Sequence, residues 1–285
     1  MKILVTGAGG QLGQDVVALF QKDPTMSVIG LGRYELDITK MEQCLHQIML
    51  HQPDAIVHCA AYTAVDQAES NEDHAYIVNA VGTRNLAVAS EKYGIKLCYI
   101  STDYVFDGQS DKPYKEYDRT DPVNVYGKTK YAGEQLVTSL TTRYFIVRTS
   151  WVYGMHGNNF VKTMLKLAHE RKQLKVVNDQ IGSPTYTEDL ALFLYELIQT
   201  EKYGIYHGTN KGCCSWYEFA KAIMEESGLA IIVASCTTKE FPRPAPRPSY
   251  SVLDHLSIRT NGFADFRPWR EALKEFLLKL GNQLS

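Results

Sequence analysis

What this 285-residue chain lacks narrows the field first. Its six cysteines, Cys44, Cys59, Cys98, Cys213, Cys214 and Cys236, contain no C-x-x-C spacing, so neither a zinc knuckle nor a thioredoxin-like redox motif is encoded. Several lie inside apolar runs, where a cysteine behaves as a small buried hydrophobe, and they read as reduced and structural. No apolar run approaches the roughly 18 residues of a membrane span. An excess of one charge is missing too: 30 basic and 32 acidic residues leave a net charge of −2, with no bulk attraction to nucleic acid or an anionic bilayer. Neither partner is expected. Met1 to Gly10 read as a strand running into a glycine turn instead of a secretory signal, which makes a cytoplasmic location the expectation. There is no internal repeat and no low-complexity tract.

The remaining composition, 45% hydrophobic and 22% charged, is too apolar for a disordered chain, and the length suits one large α/β unit or two domains. Short β-branched runs at Lys2–Thr6, Ser27–Leu31, Ala55–Cys59, Lys96–Ser101 and Tyr144–Thr149 alternate with segments of helical period. Those segments are Gln11–Gln21, Thr39–Gln52 with Thr39 and Glu42 at capping-box spacing, and Asn71–Tyr93 closed by Gly94. Alternation of this kind predicts a doubly wound parallel sheet, a Rossmann fold, over residues 1–149. A smaller mixed α/β lobe is expected over 150–285, with some of its segments returning to the first domain. It holds a loop around Tyr153–Asn158, a helix at Asn159–Glu170, further αβ pieces at Thr187–Gln199, Ile205–Gly208 and Ser215–Gly228, and a terminal helix at Trp269–Leu280. Four of the ten prolines fall in Phe241–Pro248, which therefore reads as an extended, semi-rigid strap.

Chemistry concentrates in a few places. Gly7, Gly10 and Gly13 punctuate the turn between the first strand and the first helix. Gly7 permits the tight turn, Gly10 lets a pyrophosphate approach the backbone, and Gly13 lets the helix pack closely with its positive N-terminus aimed at phosphate. A dinucleotide is the expected ligand. An NAD-preferring fold places an acid at the end of the second strand; here stand Gly32 and Arg33, so Arg33 is either the partner of a 2′-phosphate, favouring NADPH over NADH, or a solvated surface residue. Asp37 and Ile38 follow at a place suited to the adenine. Tyr126 and Lys130 are spaced to share one helix face, so that the ammonium sits near the phenol and favours its ionised form. Upstream, Ser101-Thr102-Asp103 ends a strand at the sheet's ligand-binding edge, and a hydroxyl there can hold a substrate carbonyl. His58 reads as a satisfied core residue. Trp151, just past a strand end, either fills a gap between lobes or stacks on a sugar or base. Arg243 and Arg247 on the proline strap either keep it soluble or hold a nucleotide diphosphate.

Taken together, GAGGQLG (Gly7–Gly13), CAAYTAVDQAE (Cys59–Glu69), Asn79 with Gly82-Thr83, ISTDYVFDG (Ile100–Gly108), YGKTK (Tyr126–Lys130), RTSWVYG (Arg148–Gly154) and GSPTYTEDLA (Gly182–Ala191) resemble the extended short-chain dehydrogenase/reductase family over about two thirds of the chain. The resemblance implies Tyr126 as proton donor, Lys130 as its modulator and ribose ligand, and Thr102 as the hydroxyl that polarises a ketone. It implies cofactor contacts at Gln11, Leu12, Asp37, Ile38, Ala61, Tyr62, Thr63 and Asn79, and substrate contacts at Thr102, Asp103 and Trp151. Some relatives bind magnesium at a homodimer contact through acids matching Asp15, Glu188 and Asp189, although a longer glutamate usually holds the place of Asp15. The implied activity is NADPH-dependent reduction of a nucleotide-linked 4-keto sugar, dTDP-4-dehydro-6-deoxy-L-mannose, to dTDP-L-rhamnose. The rivals are a 4-epimerase or 4,6-dehydratase of the same branch, and a non-catalytic regulatory subunit. Dehydratases typically follow the matching threonine with Asp-Glu, whereas this chain has Asp103-Tyr104.

Overall fold

The computed structural model describes residues 1–284. Six parallel strands form the central sheet, in the order Gly204–His207, Tyr144–Thr149, Lys96–Thr102, Ala55–His58, Lys2–Thr6 and Ser27–Leu31. The inner strands are almost wholly apolar because helices cover both faces, leaving no solvated side for polar residues to alternate onto. On one face helix Gln11–Phe20 packs against helix Thr187–Ile198, burying Val16, Phe20, Leu190, Leu194 and Leu197. On the other face lie helices Met41–His51, Thr83–Tyr93 and Val125–Leu140. Strand order reverses between Lys2–Thr6 and Ala55–His58, which opens a crevice beyond Thr6 and His58, the place where open α/β sheets take their ligands.

Two local expectations change. Asn71–Tyr93 is not one regular helix: Glu72–Tyr76 passes through a π-helical turn, Ile77–Gly82, before Thr83–Tyr93 runs to a left-handed Gly94. The wide turn lets Gly82 lie against Ile38, where an added Cβ would stand 2.7 Å from Ile38 Cδ1, and it carries Asn79 inward. The Thr39–Glu42 capping box is absent, because the Thr39 amide and hydroxyl both donate to Asp37 Oδ1, at 3.0 and 2.7 Å. The helix starts one turn position later, at Met41.

The second core gathers Tyr153, Val161, Leu174, Phe219, Ile223 and Phe276. It is built from helices Phe160–Glu170, Trp216–Glu226 and Trp269–Leu284, the second opened by a Ser215/Glu218 capping box. A parallel ribbon of Gln173–Val177 and Ile232–Cys236 flanks them. Among the described residues no helix is long and apolar enough to cross a membrane.

Candidate active site

The glycine turn is shaped by contacts that tolerate no side chain. Gly7 has φ 66°, and an added Cβ would meet Ala60 N at 2.6 Å; one at Gly13 would meet Gly7 O at 2.3 Å. Helix Gln11–Phe20 starts from Gly10 with no side-chain cap, so its first amides remain available to an anion. Leu12 packs into the core. The Gln11 amide is turned toward the second lobe, donating to Val152 O at 3.1 Å and accepting from Asn159 Nδ2 at 2.9 Å. Arg33 is exposed just beyond the second strand. The Asp37 carboxyl is held below its usual range, first by the Thr39 hydroxyl, with Lys40 and Arg33 adding to it. Ile38 is buried, and its carbonyl accepts from Asn85.

Asn79 is 1% exposed, and its side chain is committed to protein groups. Oδ1 accepts from Tyr62 N at 2.8 Å, and Nδ2 donates to Tyr62 O at 3.1 Å and Thr129 Oγ1 at 2.9 Å. It therefore fixes the Ala61–Tyr62–Thr63 loop instead of reaching into the crevice. Thr129 passes its own proton to Tyr126 O at 2.8 Å. His58 completes the scaffold: Thr83 donates to Asn79 O, so it accepts from His58 Nε2, and His58 Nδ1 faces Thr6 Oγ1 at 2.8 Å. Burial pushes His58 down to about 3, which keeps it neutral and structural.

Tyr126 lies in the first turn of helix Val125–Leu140, capped by Asn124, whose Oδ1 accepts from Gly127 N at 2.8 Å. Gly127 is required there, since a Cβ would fall 2.2 Å from Tyr104 O. The Tyr104 and Tyr126 rings meet edge to face with centroids 6.0 Å apart. Thr102 Oγ1 donates to Asp103 Oδ1 at 3.0 Å, and both residues are buried at the strand end. Asp103 Oδ2 is buried without a well-formed hydrogen bond, and desolvation pushes this carboxyl up to about 7 against the pull of the nearby Ser251 and Thr102 hydroxyls.

Lys130 reaches back to strand Lys96–Thr102. Lys130 Nζ donates to Ile100 O at 2.7 Å and lies 4.1 Å from the centroid of the Tyr99 ring. The Tyr126 phenol is pushed up, by burial first and the Asp103 charge second, with the Thr102 hydroxyl drawing it partly back. The proton stays on Tyr126 well past neutrality. Burial lowers Lys130 to about 7, opposed chiefly by Glu134 one helical turn on. Glu134 is gripped by Arg148 at 2.9 and 2.7 Å and by Ser101 at 2.5 Å, all buried. Glu134 and Arg148 are not among the site residues expected from sequence; the i, i+4 spacing of Glu134 from Lys130 is the one signal that points to them.

The proline strap crosses the mouth of the site. Pro246 O accepts from Asn124 Nδ2 at 2.8 Å, and Arg247 pairs with Asp66 at 2.9 Å, its guanidinium 6.0 Å from the Tyr104 ring centroid. Arg243 is exposed, 3.9 Å from Asp66 and over the Phe241 ring. Trp151 has a left-handed backbone, φ 48°, and stacks on Trp216 with centroids 3.6 Å apart. Such a conformation costs an L-residue about 1–2 kcal/mol.

The acids considered for magnesium lie elsewhere, along a cavity of about 630 Å³ whose walls include none of Thr102, Tyr126 and Lys130. They do not fit the ion. Glu188 accepts from Tyr186 at 2.6 Å and Lys279 at 2.5 Å; Asp189 is held by both arms of Arg267, at 2.9 and 2.8 Å, and by Asn210 at 2.6 Å. Asp15 alone keeps an unpartnered oxygen, Oδ2, far short of the about six oxygens magnesium takes. Among the described residues no cluster of three or more His, Cys, Asp or Glu side chains is arranged to hold a metal ion.

A dinucleotide crevice facing a Thr–Tyr–Lys set defines an oxidoreductase of the extended short-chain type. The chain belongs to the family described as the RmlD substrate binding domain, whose model matches residues 1–282. It is 49% identical to the spore coat polysaccharide biosynthesis protein SpsK of Bacillus subtilis, over 97% of this chain and 96% of that one. It is 43% identical to dTDP-4-dehydrorhamnose reductase of Aggregatibacter actinomycetemcomitans, over 96% and 97%. The crystal structure of dTDP-4-dehydrorhamnose reductase from Bacillus anthracis in complex with NADP superposes with a TM-score of 0.94 at 47% identity, covering 98% of this chain and 99% of that one.

Proposed function

We propose that this chain is an NADPH-dependent dTDP-4-dehydrorhamnose reductase, which converts dTDP-4-dehydro-6-deoxy-L-mannose to dTDP-L-rhamnose. The observation that carries the reading is a phenol set beside a strand-end hydroxyl, Tyr126 beside Thr102, in a chain 43% identical to a reductase of that name. Residues 1–149 hold the dinucleotide, and the strap and second lobe hold the nucleotide sugar. The glycine cradle and uncapped helix N-terminus suit a pyrophosphate, and exposed Arg33 suits a 2′-phosphate, which would have to compete for it with the Asp37 carboxyl and with Glu35, whose carboxylate lies against Gly32. Bound NADPH supplies the hydride to the carbonyl carbon. Thr102 turns its hydroxyl from Asp103 to the substrate oxygen, and Tyr126 gives its proton to the developing alkoxide. Lys130 has donors left, beyond its bond to Ile100, for a ribose hydroxyl. Exposed Arg243 suits a diphosphate, and Arg247 would leave Asp66, now at 2.9 Å, to take one.

Elimination of water is disfavoured, because the position a dehydratase gives to glutamate holds Tyr104, whose phenol burial pushes up and makes a poor base. The test is cofactor oxidation with a panel of dTDP- and UDP-linked 4-keto sugars. One NADPH consumed per dTDP-linked 4-keto-6-deoxy sugar is expected. Formation of a 4-keto product from dTDP-glucose and NAD, or sugar turnover without net cofactor consumption, would overturn the assignment.

A further inference from the structure

Trp151 stands two residues past strand Tyr144–Thr149, whose last residue pairs with Thr102, so its backbone leaves the strand end that carries Thr102 while its ring packs on the second core against Trp216 and Phe219. A left-handed aromatic residue needs surroundings that impose the conformation, and here they can be named. Trp151 O accepts from Thr185 N at 3.2 Å, the Ser150 hydroxyl donates to Ser183 O at 2.6 Å, and Val152 O accepts from Gln11. A Cβ on Gly182 would lie 2.6 Å from Trp151 Cε2, 2.7 Å from Cζ2 and 2.8 Å from Nε1. Approach within the ring plane would make Cε2 the farthest of the three; it is the nearest, so Gly182 lies over a face of the indole. Trp216 stacks on the same ring at 11° to its plane and is itself backed by Phe160, centroids 4.5 Å apart. A glycine backbone and an indole cannot share one face. Both faces of Trp151 are therefore taken, and the stacking on a sugar or base considered from sequence has no free face to use.

We infer that Trp216 is a positioning residue: with Gly182 on the opposite side it clamps Trp151 so that the rim of the indole, and not its face, bounds the sugar subsite. The inference rests on the proposed reductase in naming that ligand as a nucleotide sugar and in setting Trp151 at its subsite. It is tested in the full chain with Trp216→Ala, Trp216→Phe and Gly182→Ala. The unmodified protein should show the exciton couplet of two stacked indoles in far-ultraviolet circular dichroism, and both Trp216 variants should lose it. Trp216→Ala should raise KM for the 4-keto sugar about tenfold while kcat and the KM for NADPH stay within about twofold. Trp216→Phe keeps an aromatic plate behind the ring and should stay near the unmodified KM. Gly182→Ala pushes Trp151 from the other face and should raise the same KM, so the clamp stays testable even if one variant fails to fold. Binding of dTDP-glucose, followed by fluorescence, should rank the variants in the same order. If no 4-keto sugar is reduced by any form, the reductase reading fails and dTDP-glucose affinity alone judges the clamp. Unchanged sugar KM and dTDP-glucose affinity in both Trp216→Ala and Gly182→Ala would overturn it, as would equal losses in kcat and NADPH binding.

Discussion

Two polar clusters of this molecule, one half-exposed and one buried, leave their charged groups in opposite states. Along the 630 Å³ cavity, Glu188 and Asp189 each meet a cation carried on another segment, Lys279 and Arg267, and Glu275 is shared between those two cations. At the strand end beside Tyr126, Asp103 has an orphaned oxygen, Tyr126 and Tyr104 are held protonated, and Lys130 is brought near neutrality with no carboxylate in contact. The first arrangement is complete as it stands. The second leaves desolvated groups, Asp103 and Lys130 displaced to about 7 and the two phenols pushed further above neutral pH, and under the proposed function a bound carbonyl and ribose supply the missing partners. A cluster of charges alone does not distinguish a site; what is left unanswered does.

The comparison is broken most forcefully at Tyr126. Tyr126→Phe removes only the hydroxyl, and turnover should fall about 10²–10⁴-fold with NADPH binding retained. Steady-state rates and a cofactor titration check this; near-full activity would mean that the proton comes from another group.

Asp103 offers a smaller effect with a definite sign. The folded chain holds this proton up to about pH 7, where an unfolded aspartate, with its ordinary value of 3.8, has already lost it. The folded state therefore binds more protons in that window, and the stability contribution falls as pH rises from about 4 to about 7, by up to about 4 kcal/mol. Asp103→Asn cannot ionise. Relative to the unmodified protein, its urea midpoint should gain progressively across that window and level off above it. Parallel pH profiles for the two proteins would show that Asp103 is ionised in the folded state at low pH, as an ordinary carboxylate is.

Much of this is legible in the amino-acid sequence alone. β-branched runs separated by helical period place five of the six sheet strands, because a strand covered on both faces has no choice but to be apolar. Gly7, Gly13 and Gly127 mark close backbone approaches that a motif can announce. Features decided by long-range partners are not legible in this way. Gln173–Val177 and Ile232–Cys236 are short and half-exposed, and only their pairing makes them strands. The π-helical turn follows from Ile38 and Asn79 and has no composition of its own. Tyr126 and Lys130 share a helix face as their spacing requires, yet the ammonium answers the Ile100 carbonyl and the Tyr99 ring, which spacing does not reveal. Trp216 is invisible as a site residue until it is found stacked on Trp151.

The smallest effect is expected at the acid-lined cavity, where the comparison predicts indifference to metal. Lys279 bridges Glu188 and Glu275, and Arg267 bridges Asp189 and Glu275, so the acids already have the countercharge an ion would bring. Chelation with EDTA should leave both the melting temperature and the rate of NADPH oxidation unchanged, and millimolar magnesium should raise neither. Lys279 is 42% exposed, so its ion pairs are screened, and Lys279→Met should cost no more than about 1 kcal/mol. In that variant Glu188 loses its cation while Tyr186 still donates to it. A magnesium-dependent rise in melting temperature confined to Lys279→Met would show the lysine standing where an ion otherwise would. The same rise in the unmodified chain, reversed by EDTA, would show instead that Asp15 and its neighbours take up the ion despite their internal cations.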